Sequence, residues 1–347
     1  MKHILSMSPD YVKGWDEWDA ARELIQNATD QAEQVNAKPI VEWREGKLRI
    51  GVKGAELLPK TLLLGVTTKA DDKSQRGQFG EGYKLAMLVL ARNLYGVRVL
   101  TGSEEWTATI VRSDEYGVEV LQVERKPIAG LHANGVFFLI DGIAEPTWKT
   151  IESRYLPGIK HDEILPDKPG MMFSGGLFLC NAKGMRFGYN FSPRRLAVGR
   201  DRNIVAGFDL DWATAQIWAK TKRPIAELYG LMKEDARDAR FVAATEALPA
   251  KAAEVIAVKF EEDFGEGTAP VEDQTELDRA RGQGLRAHII PECLRKTVKR
   301  VREFVYYDET TPGFKMKQFF EKWGDKMDLD ARQDLELLVA ASQSWRS

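Results

Sequence analysis

The sequence predicts an α+β fold in which helices pack on one face of a mostly antiparallel sheet. Two observations support this class. A helical pattern near the N-terminus is followed by short strand-like runs, and a strongly apolar helix interrupts those runs. Of the 347 residues, 44% are hydrophobic and 29% are charged, which is typical of two or three domains that each bury a core.

Hydrophobic periodicity predicts the elements in order. Helical spacing over residues 15–35 indicates an amphipathic helix. Strand-like runs at 40–43 and 47–52 flank Glu45 and Gly46, a pair that favours a hairpin turn. A helix over 80–93 is apolar around most of its circumference and should be buried. Four further strand-like segments complete the sheet: 97–100, 106–111, 117–123 and 136–140.

Composition divides the chain and excludes several classes. We predict three regions, 1–145, 146–262 and a helical 263–347, because residues 146–169 are aperiodic and rich in Pro, Lys and Asp.

The net charge of −2 gives no global basic field, and no apolar run could span a bilayer. Two cysteines far apart in sequence argue against a disulfide framework, so we expect a cytoplasmic protein. The scattered histidines form no zinc pattern.

The first helix carries a polar set with chemical meaning. Glu23 and Asn27 are four residues apart and share a face, and Asp30 follows one turn later. A carboxamide oxygen is a hard ligand suited to Mg²⁺. A carboxylate one turn away can hold and deprotonate a water for attack on a phosphoryl group. The alternative is an ordinary acidic, solvated helix face.

A glycine-rich segment precedes the second helix. Gly77, Gly80 and Gly82 allow backbone N–H groups to approach an anion, and the following helix N-terminus favours phosphate. The spacing matches neither a Walker loop nor a dinucleotide fingerprint. Taken alone, the segment is equally compatible with a flexible turn.

Together these residues resemble the GHKL ATPase superfamily, in its gyrase B, MutL and heat-shock-chaperone branch. Glu23-Leu-Ile-Gln-Asn27-Ala-Thr-Asp30 is similar to the family's E-x-x-x-N helix. Leu64-Gly-Val-Thr-Thr-Lys69 followed by Gly77-Gln-Phe-Gly80-Glu-Gly82 is similar to its phosphate lid. The match covers roughly residues 15–141 and implies a Bergerat-type sandwich for the N-terminal region.

The resemblance implies a role for each matched residue. Glu23 would position the attacking water, Asn27 would bind Mg²⁺, and Asp30 would belong to the cofactor-binding residues. Lys69 and Lys84 would contact phosphate. The residues that would wrap the phosphates are Gly77, Gln78, Phe79, Gly80 and Gly82.

The second region resembles the family's transducer domain, which sends a lysine into the phosphate site. Lys183 is the candidate, in an Asn-Ala-Lys-Gly turn between strand-like runs at 176–180 and 186–190 that suggest a hairpin. The alternative is an exposed hairpin lysine.

The sequence departs from the family pattern at two positions, and both belong to the part of the site that would bind the adenine base. The family's adenine-binding aspartate falls at or near Gly51, and its late threonine falls at Val136. Three explanations stay open: other groups hold adenine, such as backbone carbonyls near Gly51; the pocket prefers another base or ligand; or the fold persists with little turnover.

We therefore expect an ATP-binding protein, a slow Mg²⁺-dependent ATPase that acts as a conformational switch. A second copy of the chain, in a homodimer, or another protein partner would recognise its nucleotide-dependent conformation. The alternative is a non-hydrolysing binding module of the same fold for another nucleotide or a protein. A basic segment over 294–302 leaves nucleic-acid contact open, with a solvated helix as the alternative.

Overall fold

The computed structural model divides the chain into two units, Met1–His161 with Phe173–Leu179 and Asp162–Met172 with Cys180–Ser347. The division at residues 145 and 262 stays a prediction. The structure describes residues 1–63, 81–115, 117–130, 132–158, 162–193, 195–196 and 207–304, with scattered positions between 315 and 337.

A seven-stranded sheet organises the first unit. Its strand order is β1-β6-β5-β4-β7-β3-β2, and every neighbouring pair is antiparallel. The predicted α+β class with an antiparallel sheet is thereby confirmed. The strands are β1 (Lys2–Leu5), β2 (Ile40–Arg44), β3 (Lys47–Lys53), β4 (Gly96–Gly102), β5 (Glu104–Arg112), β6 (Glu119–Pro127) and β7 (Ala133–Asp141).

The β2–β3 hairpin follows from its two turn residues. Glu45 and Gly46 both have positive φ angles, 49° and 82°. A two-residue turn with both residues in this region matches the twist of the flanking strands. The hairpin predicted from the Glu-Gly pair is therefore present, and it pairs Arg44 with Lys47.

Helices α1 (Glu17–Gln34), α2 (Gly82–Arg92) and α3 (Glu145–Ser153) belong to the same unit. Helix α1 packs on β3 and on α2, while α2 packs on β4 and β5. Every residue from 83 to 91 is buried, so the expectation of a buried second helix is confirmed. Asp16 begins α1 with a capping box in which Asp16 and Asp19 bond each other's backbone N–H groups.

Charged side chains lie on strand residues that face away from the hydrophobic core. Arg98 of β4 bonds Glu105 of β5 at 3.4 Å and Asp141 of β7 at 3.1 Å. These partly exposed pairs cross neighbouring strands. The sheet therefore has the alternation expected when one face meets helices and the other carries polar groups.

A second sheet departs from the predicted hairpin around Lys183. Strands β8 (Glu163–Leu165), β9 (Met171–Ser174), β10 (Leu177–Asn181) and β11 (Gly188–Phe191) form a sheet of order β10-β9-β11-β8. The hairpin prediction is wrong, because β9 lies between the two strands that it paired. Strand β9 has four residues, too few to show a period in the sequence.

Helices make up most of the described residues from 207 to 304. A buried carboxylate joins two segments there: Asp238 accepts hydrogen bonds from the Arg186 N–H at 2.8 Å and the Tyr189 hydroxyl at 2.5 Å. Trp218 donates to that hydroxyl at 2.7 Å. The helices are α4 (Gly207–Lys220), α5 (Ile225–Lys233), α6 (Ala250–Phe264), α7 (Gln274–Gly282) and α8 (Glu292–Lys299).

The C-terminal region is not purely helical. Strands β12 (Ala269–Val271) and β13 (Ala287–Ile289) pair in parallel around α7. Each has three residues, which explains why the sequence pattern indicated only helices there. Among the described residues, no helix is both long and apolar enough to cross a bilayer.

Arg92, at the end of α2, generates a stability prediction. Its guanidinium donates to backbone carbonyls of the segment before α1, including Trp15 at 2.6 Å and Pro9 at 2.9 Å. Lysine cannot reproduce this planar set of donors. We expect Arg92→Lys to lower the free energy of unfolding by about 2 kcal/mol in urea titrations. Arg44→Lys, on an 89% exposed side chain, is the control, and equal effects would contradict the prediction.

Candidate functional site

Glu23 and Asn27 lie on the face of α1 that meets the start of α2. Both are partly buried, and only 13% of the Glu23 side chain is exposed. A Cβ atom built on Gly82 would lie 2.5 Å from Glu23 Oε2 and 3.4 Å from Asn27 Nδ2. The first residue of α2 therefore touches both side chains, and the helix motif meets the last glycine of the glycine-rich segment.

The Asn27 carboxamide has a defined orientation. Its Nδ2 donates to the Glu23 carbonyl oxygen at 2.8 Å, one turn back in α1. This bond leaves the carboxamide oxygen as the group available for a ligand. One such oxygen fits Mg²⁺, which takes few protein ligands and keeps waters or phosphate oxygens. The described residues contain no cluster of three or more His, Cys, Asp or Glu suited to a metal.

A guanidinium group lies next to Glu23. Arg22 Nη1 is 3.0 Å from Asp19 Oδ1, and Arg22 Nε is 3.8 Å from Glu23 Oε1. Burial raises the pKa of Asp19, and the positive charge of Arg22 opposes that rise. The Arg22 side chain is itself only 9% exposed. A cation held by a second carboxylate therefore stands beside Glu23.

A small cavity extends from Asn27 between α1, β3 and β7. Its volume is about 20 Å³, room for a single water molecule in this conformation. A base could enter only if lining side chains moved. The lining residues are Asn27, Ala28, Gln31, Gly51, Leu57, Tyr83, Val136 and Phe138.

Both departures from the family pattern line this cavity. A Cβ atom on Gly51 would lie 2.1 Å from the Val136 carbonyl oxygen and 2.8 Å from Phe137 Cδ1. Strands β3 and β7 therefore approach too closely for any side chain at Gly51. An aspartate has no room at this position, and Val136 adds no hydroxyl.

Lys84 and Tyr83 are buried at the start of α2. The Lys84 ammonium donates to the Leu63 carbonyl oxygen at 2.6 Å, and burial lowers the pKa of Lys84. The Tyr83 hydroxyl donates to the Thr61 carbonyl oxygen at 2.7 Å, and burial raises the pKa of Tyr83 to about 12. Both side chains thus hold the segment before residue 64.

The remaining candidates are dispersed. Asp30 is 5% exposed and does not line the cavity. Lys183 is an exposed residue of the second unit, and its carbonyl oxygen accepts a bond from Arg237 at 2.8 Å. The candidates outside the described residues are Lys69, Gly77, Gln78, Phe79 and Gly80.

Sequence reasoning missed four of the cavity's side chains. Gln31 had a usable signal, because it follows Asn27 by one turn on the same face. Leu57, Tyr83 and Phe138 are apolar or aromatic residues of three separate segments of the chain, and no spacing in the sequence connects them.

The basic segment around α8 is largely paired with carboxylates. Arg295 lies 2.5 Å from Glu272, and Lys296 lies 2.6 Å from Glu292. Arg302 is bonded to Glu254 at 2.7 Å and to a second glutamate. Pairing of this kind weakens the field that phosphate backbones would meet.

Comparison with known proteins adds no assignment. No protein-family model matches the chain, and no curated protein matches it either.

The contact at Gly51 generates a prediction. Gly51→Ala places a methyl group against backbone, so we expect the free energy of unfolding to fall by about 3 kcal/mol. Gly14→Ala, where a Cβ would meet nothing within 4 Å, should change it by less than about 0.5 kcal/mol. Urea titration of both variants measures the difference. A Gly51→Ala variant as stable as the control would refute the close approach.

Proposed function

We propose that this chain is an ATP-binding protein of the GHKL type that hydrolyses ATP slowly with Mg²⁺. The contact of Gly82 with Glu23 and Asn27 carries the proposal. It joins two motifs that are distant in the sequence and that suit the phosphate and metal end of a nucleotide.

The phosphates would lie at the N-terminus of α2, where backbone N–H groups and the helix dipole favour anions. Asn27 would hold Mg²⁺ through its carboxamide oxygen, since its nitrogen is committed to the Glu23 carbonyl. Bound Mg²⁺ would draw charge from the phosphate oxygens. Glu23 would accept a proton from the attacking water, and Arg22 Nε, 3.8 Å away, would compensate the carboxylate charge.

Turnover would be slow if a lid must close before Glu23 can act. The nucleotide would then set a conformational state that a second copy or another protein reads. We place this activity in the cytoplasm, because the thiols of Cys180 and Cys293 are free and suit a reducing compartment.

A second candidate is a binding module without hydrolysis. The cavity volume of about 20 Å³ and the absence of room for an acid at Gly51 favour it. Such a module would use the same site for another nucleotide or act through protein contact.

Substitution of Glu23 separates the two candidates. We expect Glu23→Gln to bind Mg·ATP with near wild-type affinity and to hydrolyse it at least about 100-fold more slowly. Calorimetry measures binding, and phosphate release measures turnover. Glu33→Gln is the matched control, an exposed glutamate on the same helix. Millimolar ATP that fails to bind the wild-type chain would eliminate the ATPase, and binding without wild-type turnover would select the module.

Gly82→Ala tests the geometry of the site. The new Cβ would push the Glu23 carboxylate away, since only 2.5 Å separates them, while alanine suits the helix. We expect hydrolysis to fall about 100-fold with little change in unfolding free energy. The control is Gly230→Ala in α5, where a Cβ would meet nothing within 4 Å. Wild-type hydrolysis by Gly82→Ala would contradict the proposed arrangement.

A further inference from the structure

Gln31 extends the polar face that holds the candidate site. Glu23, Asn27 and Gln31 follow one another at four-residue intervals on α1, each step rising about 6 Å along the helix axis. Glu23 meets Gly82, and both Asn27 and Gln31 line the cavity. We call these three residues the α1 polar row.

The other polar side chains of the cavity are already engaged. The Tyr83 hydroxyl donates to Thr61, and the Asn27 amide nitrogen donates to Glu23 while its oxygen would bind Mg²⁺. Gly51 and Val136 offer no polar side-chain atoms. Within the described part of the chain, the Gln31 carboxamide has no hydrogen-bond partner. It is partly exposed, so it can turn toward a ligand without leaving a fully buried polar group unpaired.

We propose that Gln31 is the side chain that reads the base of the bound nucleotide, an inference that rests on the proposed function. Leu57, Val136 and Phe138 would form apolar walls around the ring, once they have moved to admit it. Gln31 would supply the polar contact that the absent aspartate cannot make.

The carboxamide changes what the site can select. A carboxylate placed opposite position 6 of the ring accepts hydrogen bonds and donates none, so there it favours a 6-amino purine and repels a 6-oxo purine. A carboxamide has both an acceptor oxygen and a donor nitrogen, and a half-turn about its last torsion exchanges them. The substrate class is therefore purine nucleoside triphosphates in general, with ATP and GTP bound at similar affinity.

Calorimetry with ATP, GTP and inorganic tripolyphosphate, each with Mg²⁺, tests this specificity. For the wild-type chain we expect the two nucleotides to bind within about threefold of each other. Gln31→Glu should favour ATP over GTP by about tenfold or more, because its carboxylate repels the 6-oxo group. Gln31→Leu should weaken both nucleotides and leave tripolyphosphate unchanged. Gln34→Glu, exposed on the same helix, is the control and should keep the wild-type ratio.

The outcomes separate the two levels of the proposal. If all three ligands bind but Gln31→Glu keeps the wild-type ATP to GTP ratio, the role of Gln31 is refuted and the proposed function stands. A wild-type preference for ATP of about tenfold or more also refutes it. If neither nucleotide nor tripolyphosphate binds the wild-type chain, the proposed function fails and the role of Gln31 fails with it.

Discussion

The candidate site depends on the burial of α2. This helix is apolar around most of its circumference, and it can remove those side chains from water only between α1 and the sheet. Burial fixes the helix along its whole length, so its N-terminus has a defined position on α1. The contact of Gly82 with Glu23 and Asn27 follows from this packing, because the packing sets where the helix begins on α1.

The polar site is thus supported by an apolar scaffold, and its two ends differ in character. At the α2 end, charged and amide groups converge under partial burial, where electrostatic interactions are stronger than in water. At the other end, Gly51 and Val136 bring two strands together and leave a narrow, mostly apolar space. The nucleotide proposed above has the same polarity, with charged phosphates at one end and a base at the other.

Local signals in the sequence predicted much of the first unit. Glu45 and Gly46 predicted the β2–β3 turn, helical spacing of apolar residues predicted α1, and a strongly apolar run predicted α2. Strand β1 carried no comparable signal, since it has four residues and, among the described strands, pairs with β6 alone at the edge of the sheet. The cavity required the tertiary structure, because Leu57 and Phe138 meet there only after the chain has folded.

Arg92 gives α2 a second attachment at the end opposite the site. Its guanidinium donates hydrogen bonds to carbonyl groups of the segment that leads into α1, including those of Val12 and Trp15. Helix α2 is therefore held at both ends. Its first residue, Gly82, contacts α1, and Arg92 in its last turn binds the segment just before α1 begins. A displacement of α2 along its axis would strain these hydrogen bonds, so the packing of the N-terminal segment also restrains the position of Gly82.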